Sequence, residues 1–143
     1  LGYPDEAGLT DLLRRRTGRL EQSPSVDTVL DQEQVTELRH TPEEVTVDED
    51  LLEYMATVGT ATHDPADVEI GVSPRGVQRL LEASRARAVI EGRDFVTPDD
   101  IRWIAEPVLA PRLVLTAEAT VGGVDKSDII DDVVANAPVP TIA

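Results

Sequence analysis

The sequence of 143 residues contains no cysteine, which excludes a disulfide framework and a thiolate metal site. Aromatic residues are almost as scarce, with one Trp, one Phe and two Tyr, so a core has to be built from Leu, Val, Ile and Ala. Such side chains suit the packing of helix on helix. No apolar run approaches the ~20 residues that a membrane-spanning helix needs, and no secretory signal opens the sequence. We therefore expect a cytoplasmic protein that does not bind a membrane.

Basic residues are also few, and lysine occurs once, at Lys126. The 28 acidic residues against 13 basic ones give a formal net charge of −15. A surface of this sign repels nucleic-acid phosphates, so we expect no nucleic-acid partner. The arginine run at residues 14–16 is interpreted instead as a helix end that faces acidic neighbours. Many acids with almost no lysine resemble the composition of proteins from salt-loving archaea, where high ionic strength screens the repulsion.

Several motifs of catalytic and metal-binding sites are missing. The sequence has no phosphate-cradling G-x-x-x-x-G-K-S/T loop, no dinucleotide fingerprint, no nucleophile elbow and no EF-hand loop. His63-Asp64 has no second ligand at a useful spacing, so we predict a solvated loop there and no metal site. The acidic pairs at residues 43–44 and 131–132 are interpreted as solvated faces, not as paired catalytic carboxylates.

The best-marked stretch is residues 71–104, which predicts two successive helices. Ser73 is a suitable N-cap, Pro74 fits the first helical position, and Gly92 suits the end of the first helix. Thr97 begins the second helix, with Pro and two acids after it. The first helix is expected to collect apolar and small residues on one face and to turn charged ones away from it; these are Val77, Leu80, Leu81, Ser84 and Ala88, against Arg79, Glu82 and Arg87.

Arg75 is placed unusually, in the first turn of its helix, where the helix dipole disfavours a cation. The free N–H groups of that turn and a guanidinium together would suit an anion such as a phosphate. The other interpretation is that Arg75 points into water and that its charge is screened. Physical reasoning on the residues alone leaves both open.

Capping residues and breakers predict four further helices. They begin at Pro4, after Asp31, after Asp48 and after Asp125, and the first is expected to stop at Gly18. The helix after Asp48 places a core stripe on one side, made of Leu51, Leu52, Met55 and Val58.

Other segments lack a helical period. Residues 45–47 and 95–96 are β-like, and we expect them to pair. We interpret residues 21–30 as an extended connector, 60–70 as a loop and 116–123 as irregular.

Two motifs then carry a family resemblance: GVSPRG at residues 71–76 and EGRDFVTPDDI at residues 91–101, joined by an Ala- and Arg-rich helix. Together they resemble the lid domain of MoxR-type AAA+ ATPases. The resemblance implies an all-α helical bundle, with at most one small two-stranded β element. It also implies a lid at residues 1–108 and a C-terminal extension at 109–143, whose last short helix packs on the lid.

The same resemblance implies a nucleotide site. In that family the SPR arginine is the sensor 2 residue, which reaches from the lid to the γ-phosphate of ATP, so the catalytic and ATP-binding role falls on Arg75. Ser73, which caps the same helix, joins it as a binding residue. The GYP at residues 2–4 resembles the hinge near the adenine, which implies nucleotide contacts for Tyr3 and Pro4.

The resemblance finally implies partners. The whole protein would be an ATPase with an N-terminal AAA+ core, which would hold Mg²⁺, and would form a homo-hexamer that remodels other proteins, with von Willebrand A-domain proteins as candidates. The present chain lacks a P-loop, a Walker B strand, a sensor 1 residue and an arginine finger, so we expect it to be inactive alone. Two other interpretations stay open: a stand-alone acidic adaptor that binds partner helices in an apolar groove, and a helical DNA-binding module, which the charge disfavours.

Overall fold

The computed structural model describes residues 3–17 and 26–140. The predicted opening at Leu1-Gly2, the stop at Gly18 and the connector around Pro24 therefore lie outside the described residues. The chain divides into two compact units, Leu1–Asp31 and Gln32–Ala143. Among the described helices, none combines the length and the apolar character that a bilayer crossing requires.

The first unit contains helix α1, Glu6–Thr17. The carboxylate of Asp5 accepts a hydrogen bond from the Gly8 N–H at 2.9 Å and so caps the first turn. The helix therefore begins two residues later than the predicted start at Pro4. None of the side chains of α1 is buried within the described chain.

The second unit is mainly helical, with a single small two-stranded sheet among its described residues, which confirms the all-α prediction. Four of its N-caps are those that the sequence predicted: Asp48, Ser73, Thr97 and Asp125 each accept a hydrogen bond from a backbone N–H of the first turn. Its elements are α2 (Gln32–His40), a 3₁₀ turn (Thr41–Glu44), α3 (Glu49–Ala61), β1 (Val68–Ile70), α4 (Pro74–Ile90), α5 (Pro98–Leu109), a 3₁₀ turn (Ala110–Arg112), β2 (Val114–Leu115), α6 (Ala117–Gly122) and α7 (Lys126–Asn136).

The core lies where α4 and α5 pack along each other, with α3 against α4 and α7 against α5. Its fully buried side chains are aliphatic almost throughout, as the shortage of aromatics requires. Leu52 is the exception within the predicted stripe of α3, because 36% of it is exposed. The core's largest fully buried apolar side chains are Leu51, Met55, Leu80, Ile101, Leu109, Leu113 and Ile130, and Tyr54 is buried beside them at 2% exposure.

The β structure is small and only partly as predicted. Residues 45–47 and 95–96 do pair, through a single parallel bridge between Thr46 and Phe95. A second, antiparallel pair, β1 with β2, joins Val68 to Leu115 and Ile70 to Val114, where the sequence predicted a loop at residues 60–70. The prediction holds for residues 62–67 and was wrong for residues 68–70, because so short a strand shows no period of its own and is defined by its distant partner.

The segment at residues 116–123, predicted as irregular, also folds into a helix, α6. Thr116 caps it by accepting from the Ala119 N–H at 3.2 Å, and Gly123 ends it with φ of 75°. Ala119 is the only buried residue of α6, so the sequence has no apolar stripe from which this helix could be predicted. The predicted domain boundary at residues 108 and 109 stays a prediction.

A buried carboxylate, Asp100, ties the two central helices together. It is 2% exposed and accepts two hydrogen bonds from the Arg93 guanidinium, at 2.6 and 2.7 Å. The backbone N–H and the hydroxyl of Thr97 add two more, both at 2.8 Å. The Asp100 N–H donates in return to the Thr97 hydroxyl at 3.3 Å, which completes a capping box. Because every one of these groups donates, the carboxylate is held ionised in the core.

Arg87 joins this cluster, although the sequence predicted that it points away from the packed face. Its Nε lies 3.5 Å from the Asp100 carboxylate, and its guanidinium carbon lies 3.8 Å from the centre of the Trp103 ring. The prediction was wrong because α5 crosses α4 here and covers more of α4 than a single apolar stripe indicates.

Asp100 is expected to contribute stability that depends on pH. Burial acts to raise the pKa of Asp100, but the hydrogen bonds from Arg93 and Thr97 outweigh it, and the pKa is lowered. Because its pKa is lower in the folded state, Asp100 makes its full contribution to the free energy of unfolding at pH values above about 3.9, the ordinary pKa of a carboxyl group. This contribution is lost as the pH falls through the pKa that Asp100 has in the folded protein. Asp100→Asn should therefore reduce the free energy of unfolding by about 3 kcal/mol at pH 7, because it removes the buried charge that pairs with two partly buried arginines.

Urea unfolding at pH 7 and at pH 3 measures both effects. The matched control is Asp99→Asn, which removes an exposed carboxylate from the same turn and should cost less than about 1 kcal/mol. The difference in the free energy of unfolding between the wild type and Asp100→Asn should be smaller at pH 3 than at pH 7. Equal stabilities of the two variants at pH 7 would contradict the role of Asp100.

Candidate functional site

The start of α4 has the geometry that the SPR motif predicted. The Ser73 backbone is extended, and its hydroxyl accepts from the Gly76 N–H at 3.4 Å. Pro74 occupies the first helical position, and Arg75 follows in the first turn with an exposed side chain. Arg75 makes no hydrogen bond or ion pair with any residue in the described ranges 3–17 and 26–140. Its guanidinium is thus available to a group from outside.

The backbone that leads into this helix is fastened to the end of α3. The Val72 N–H donates to the Thr62 hydroxyl at 2.9 Å, and this hydroxyl donates in turn to the Gly59 carbonyl at 2.6 Å. The Val72 carbonyl accepts from Nε2 of His63 at 3.0 Å, which requires the proton on that nitrogen. Both polar backbone groups of Val72 therefore bond to the two residues that directly follow α3.

Three glycines allow the close packing around this junction. A Cβ at Gly71 would lie 2.6 Å from the His63 ring, and one at Gly76 would lie 2.4 Å from Val72 Cγ1. A Cβ at Gly59 would lie 2.4 Å from Val77 Cγ2, where α3 and α4 meet. Distances below 3 Å are contacts that a side chain cannot make without displacing its neighbour. The first turn of α4 is consequently pressed against α3.

Arg112 borders the same turn from the other side. Its Cδ would lie 3.3 Å from a Cβ at Gly76, and its guanidinium donates to the Val108 carbonyl. The stem of Arg112 therefore packs beside the turn that carries Arg75, although no pattern in the sequence pointed to this residue.

The predicted site residues fall in both units. Ser73 and Arg75 lie two residues apart at the start of α4, whereas Tyr3 and Pro4 lie in the first unit, where both are exposed. Their roles toward a nucleotide stay predictions. Within the described residues, no group of three or more His, Asp or Glu side chains could hold a metal ion.

Thr62 and His63 were missed by sequence reasoning. His63 was interpreted as part of a solvated loop, and although its side chain is exposed, its ring binds Val72. A side-chain bond to a backbone group ten residues away leaves no periodic signal. Gly71 and Gly76, which bracket the motif, were the available hint, because glycine often marks a close approach of backbone.

An apolar groove runs between α3 and α4 beside this junction. It is open to solvent and passes His63 and Pro74 at one side. Its apolar lining includes Leu52, Met55, Val77 and Leu81.

The chain is similar to several known proteins. A family model described as the AAA lid domain matches residues 60–133. Protein MoxR of Paracoccus denitrificans is 43% identical over 76 residues, which cover 49% of this chain and 21% of that protein. Chaperone MoxR1 of Mycobacterium tuberculosis is 31% identical over 101 residues, which cover 64% and 27% respectively.

Two longer matches cover almost the whole chain. The uncharacterized protein YeaC of Bacillus subtilis is 31% identical over 143 residues, covering 98% of this chain and 43% of that protein. The crystal structure of a "putative ATPase" from Cytophaga hutchinsonii superposes with a TM-score of 0.83 at 25% identity, covering 99% of this chain and 45% of that one.

The chain thus spans less than half the length of the proteins that it matches end to end. The matched region includes α4 with its SPR start, the buried Asp100 cluster and most of α7. The chain belongs to the AAA lid domain family, and within it is similar to the MoxR proteins.

Proposed function

We propose that Arg75 is the sensor 2 residue of this lid and that it binds the γ-phosphate of ATP held between the lid and an AAA+ core of the same polypeptide. The observation that carries the proposal is an exposed guanidinium without a partner in the described chain, on the first turn of a helix that is fastened to its neighbour. A cation and a helix N-terminus together favour a phosphate.

Several residues of this chain would take part in binding ATP. Arg75 would contact the terminal phosphate, while Ser73 holds the helix start in place through its cap. Tyr3 and Pro4 would contact the adenine at the hinge. ATP, with Mg²⁺ held by the core, supplies the phosphoryl group to be cleaved.

The lid would respond to hydrolysis through the same arginine. Once the γ-phosphate leaves, Arg75 loses its anion, and the free energy that held the lid against the core falls. The lid angle then changes, and this motion would drive remodelling of a partner protein. The chain alone, without the core, would not hydrolyse ATP.

Assembly and partners follow from the family in this proposal. The whole protein would form a homo-hexamer in the cytoplasm and would act on other proteins, with von Willebrand A-domain proteins as the candidate class. The name of the relative MoxR1 as a chaperone supports a remodelling role. The net charge of −15 argues against nucleic acids and anionic membranes as partners.

The adaptor interpretation has one structural feature in its favour, the apolar groove between α3 and α4. An adaptor would bind a partner helix there and would need no nucleotide. Membership of the lid family favours the ATPase. The gene distinguishes the two interpretations: an AAA+ core encoded ahead of this chain would support the ATPase, because an adaptor needs no such core.

The arginine is tested in the polypeptide that joins this chain to its AAA+ core. Arg75→Ala should lower the ATP turnover rate about tenfold to a hundredfold, because a charge-assisted hydrogen bond contributes about 1.5–3 kcal/mol. Arg75→Lys should recover only part of the rate, since a lysine lacks the planar fork that fits a phosphate. Steady-state kinetics with ATP measure both changes.

Arg102→Ala is the matched control, because Arg102 is another exposed arginine of the second unit and lies on α5. It should leave turnover within about twofold, as expected of an exposed charge. Circular dichroism should show the same helicity for all variants. Unchanged turnover in Arg75→Ala would remove Arg75 from the mechanism.

We also infer that this protein is adapted to high salt. Its acids outnumber its bases by more than two to one, and at low ionic strength they repel one another across the surface. Molar salt shortens the screening length to about 3 Å and removes most of this repulsion. The chain should therefore lose helicity as salt is lowered, as measured by far-ultraviolet circular dichroism in molar KCl and in dilute buffer. Identical spectra under both conditions would argue against the adaptation.

A further inference from the structure

We propose that Thr62 is a positioning residue for Arg75, acting through the backbone of Val72. The inference rests on the function proposed above and adds to it the residue that directly follows α3. Thr62 touches neither Arg75 nor the proposed phosphate. It fixes the point at which the chain enters α4.

The hydroxyl of Thr62 is wholly buried and uses both of its bonding roles. It accepts from the Val72 N–H at 2.9 Å and donates to the Gly59 carbonyl at 2.6 Å, while the residue is 0% exposed. Water cannot replace either bond at such a position without moving the surrounding backbone. The hydroxyl therefore links the last turn of α3 rigidly to the segment before α4.

The segment passes this restraint on to Arg75 within three residues. Val72 is 2% exposed, and its Cγ1 sits so close to Gly76 that a Cβ there would lie at 2.4 Å. Ser73 then caps the helix through the same Gly76 N–H. Any displacement of Val72 must therefore shift the first turn of α4, which carries Arg75.

His63 supplies the second bond to Val72 but is the weaker restraint. Its Nε2 donates to the Val72 carbonyl at 3.0 Å, but the side chain of His63 is exposed, so water can bond to its N–H in place of the carbonyl. Thr62, shielded from water, is the contact that should decide the position of the helix start.

Ser84 offers the contrast that separates positioning from burial alone. It is also a fully buried hydroxyl, but it donates to the Leu80 carbonyl inside α4 and contacts no entering segment. Loss of the Ser84 hydroxyl removes a buried hydrogen bond without freeing the start of α4. A purely structural role for Thr62 would make the two hydroxyls equivalent.

The test measures kcat and KM for ATP in the polypeptide that contains the AAA+ core. Thr62→Val keeps the side-chain shape, removes the hydroxyl and should lower kcat/KM about tenfold, because misplacement of a binding group weakens catalysis. Thr62→Ser restores the hydroxyl and should stay within about twofold of wild type, as should Ser84→Ala. In the Arg75→Ala background, Thr62→Val should change kcat/KM by less than about twofold, because the residue that it positions is gone.

Each outcome has a consequence. If the losses from Thr62→Val and Arg75→Ala multiply, Thr62 acts independently of Arg75 and the inference is wrong. If Arg75→Ala impairs turnover but Thr62→Val does not, only the positioning role fails. If Arg75→Ala has no effect, the sensor 2 proposal fails together with this one.

Folding of the variants is followed by thermal unfolding. Should Thr62→Val fail to fold, Thr62→Ala replaces it, because the smaller side chain leaves room for a water on the Val72 N–H. With Arg75 present, Thr62→Ala should then lower kcat/KM about threefold. In the Arg75→Ala variant it should leave kcat/KM unchanged, because the residue that it positions is gone. Equal losses in both backgrounds would overturn the proposal.

Discussion

An exposed arginine can bind a phosphate selectively only if the backbone that carries it is held still, and in this chain Val72 is where the backbone is held. Both polar groups of Val72 bond to the end of α3, through Thr62 and His63. A long arginine side chain already has to give up about 2 kcal/mol of rotamer entropy when it is fixed. A mobile helix start would add to this cost. Because the two bonds of Val72 already fix the helix start when the lid folds, the entropy cost of ordering this backbone does not have to be met again when the anion binds.

The far end of α4 is held by a different interaction, the buried carboxylate of Asp100. Arg93 reaches it from the loop that follows α4, and Arg87 approaches it from the last turns of α4 itself. Two of the 13 basic residues in a strongly acidic chain are thus directed to one buried acid. Arg75, by contrast, is left without a partner among the described residues, although acids are abundant in the sequence. The scarce cations thus divide into those that hold the lid together and those, Arg75 among them, that face outward.

Much of this arrangement could be predicted from the sequence, because helix caps are local chemistry. Asp48, Ser73, Thr97 and Asp125 each bond to a backbone group within three residues of themselves, and each was identified from its neighbours. Contacts that join distant residues were not predictable in this way. The Thr62 bond to Val72 leaves no repeating pattern in the sequence, and neither does the approach of Arg87 to Trp103. The exposed state of Arg75 could be predicted, whereas the restraint on its helix could not.

The two motifs that carried the family resemblance do different physical work. In the second motif, Arg93, Thr97 and Asp100 bond to one another and close the α4–α5 loop, so the motif is explained by folding alone. In the first motif, Ser73 caps α4, whereas Arg75 bonds to no residue of the described chain. Loss of activity on changing the second motif would therefore report a damaged lid, whereas loss on changing Arg75 in an intact lid would report a missing contact. Only the second kind of result bears on the nucleotide, because a folding defect at Asp100 would also displace α4 and, with it, the arginine.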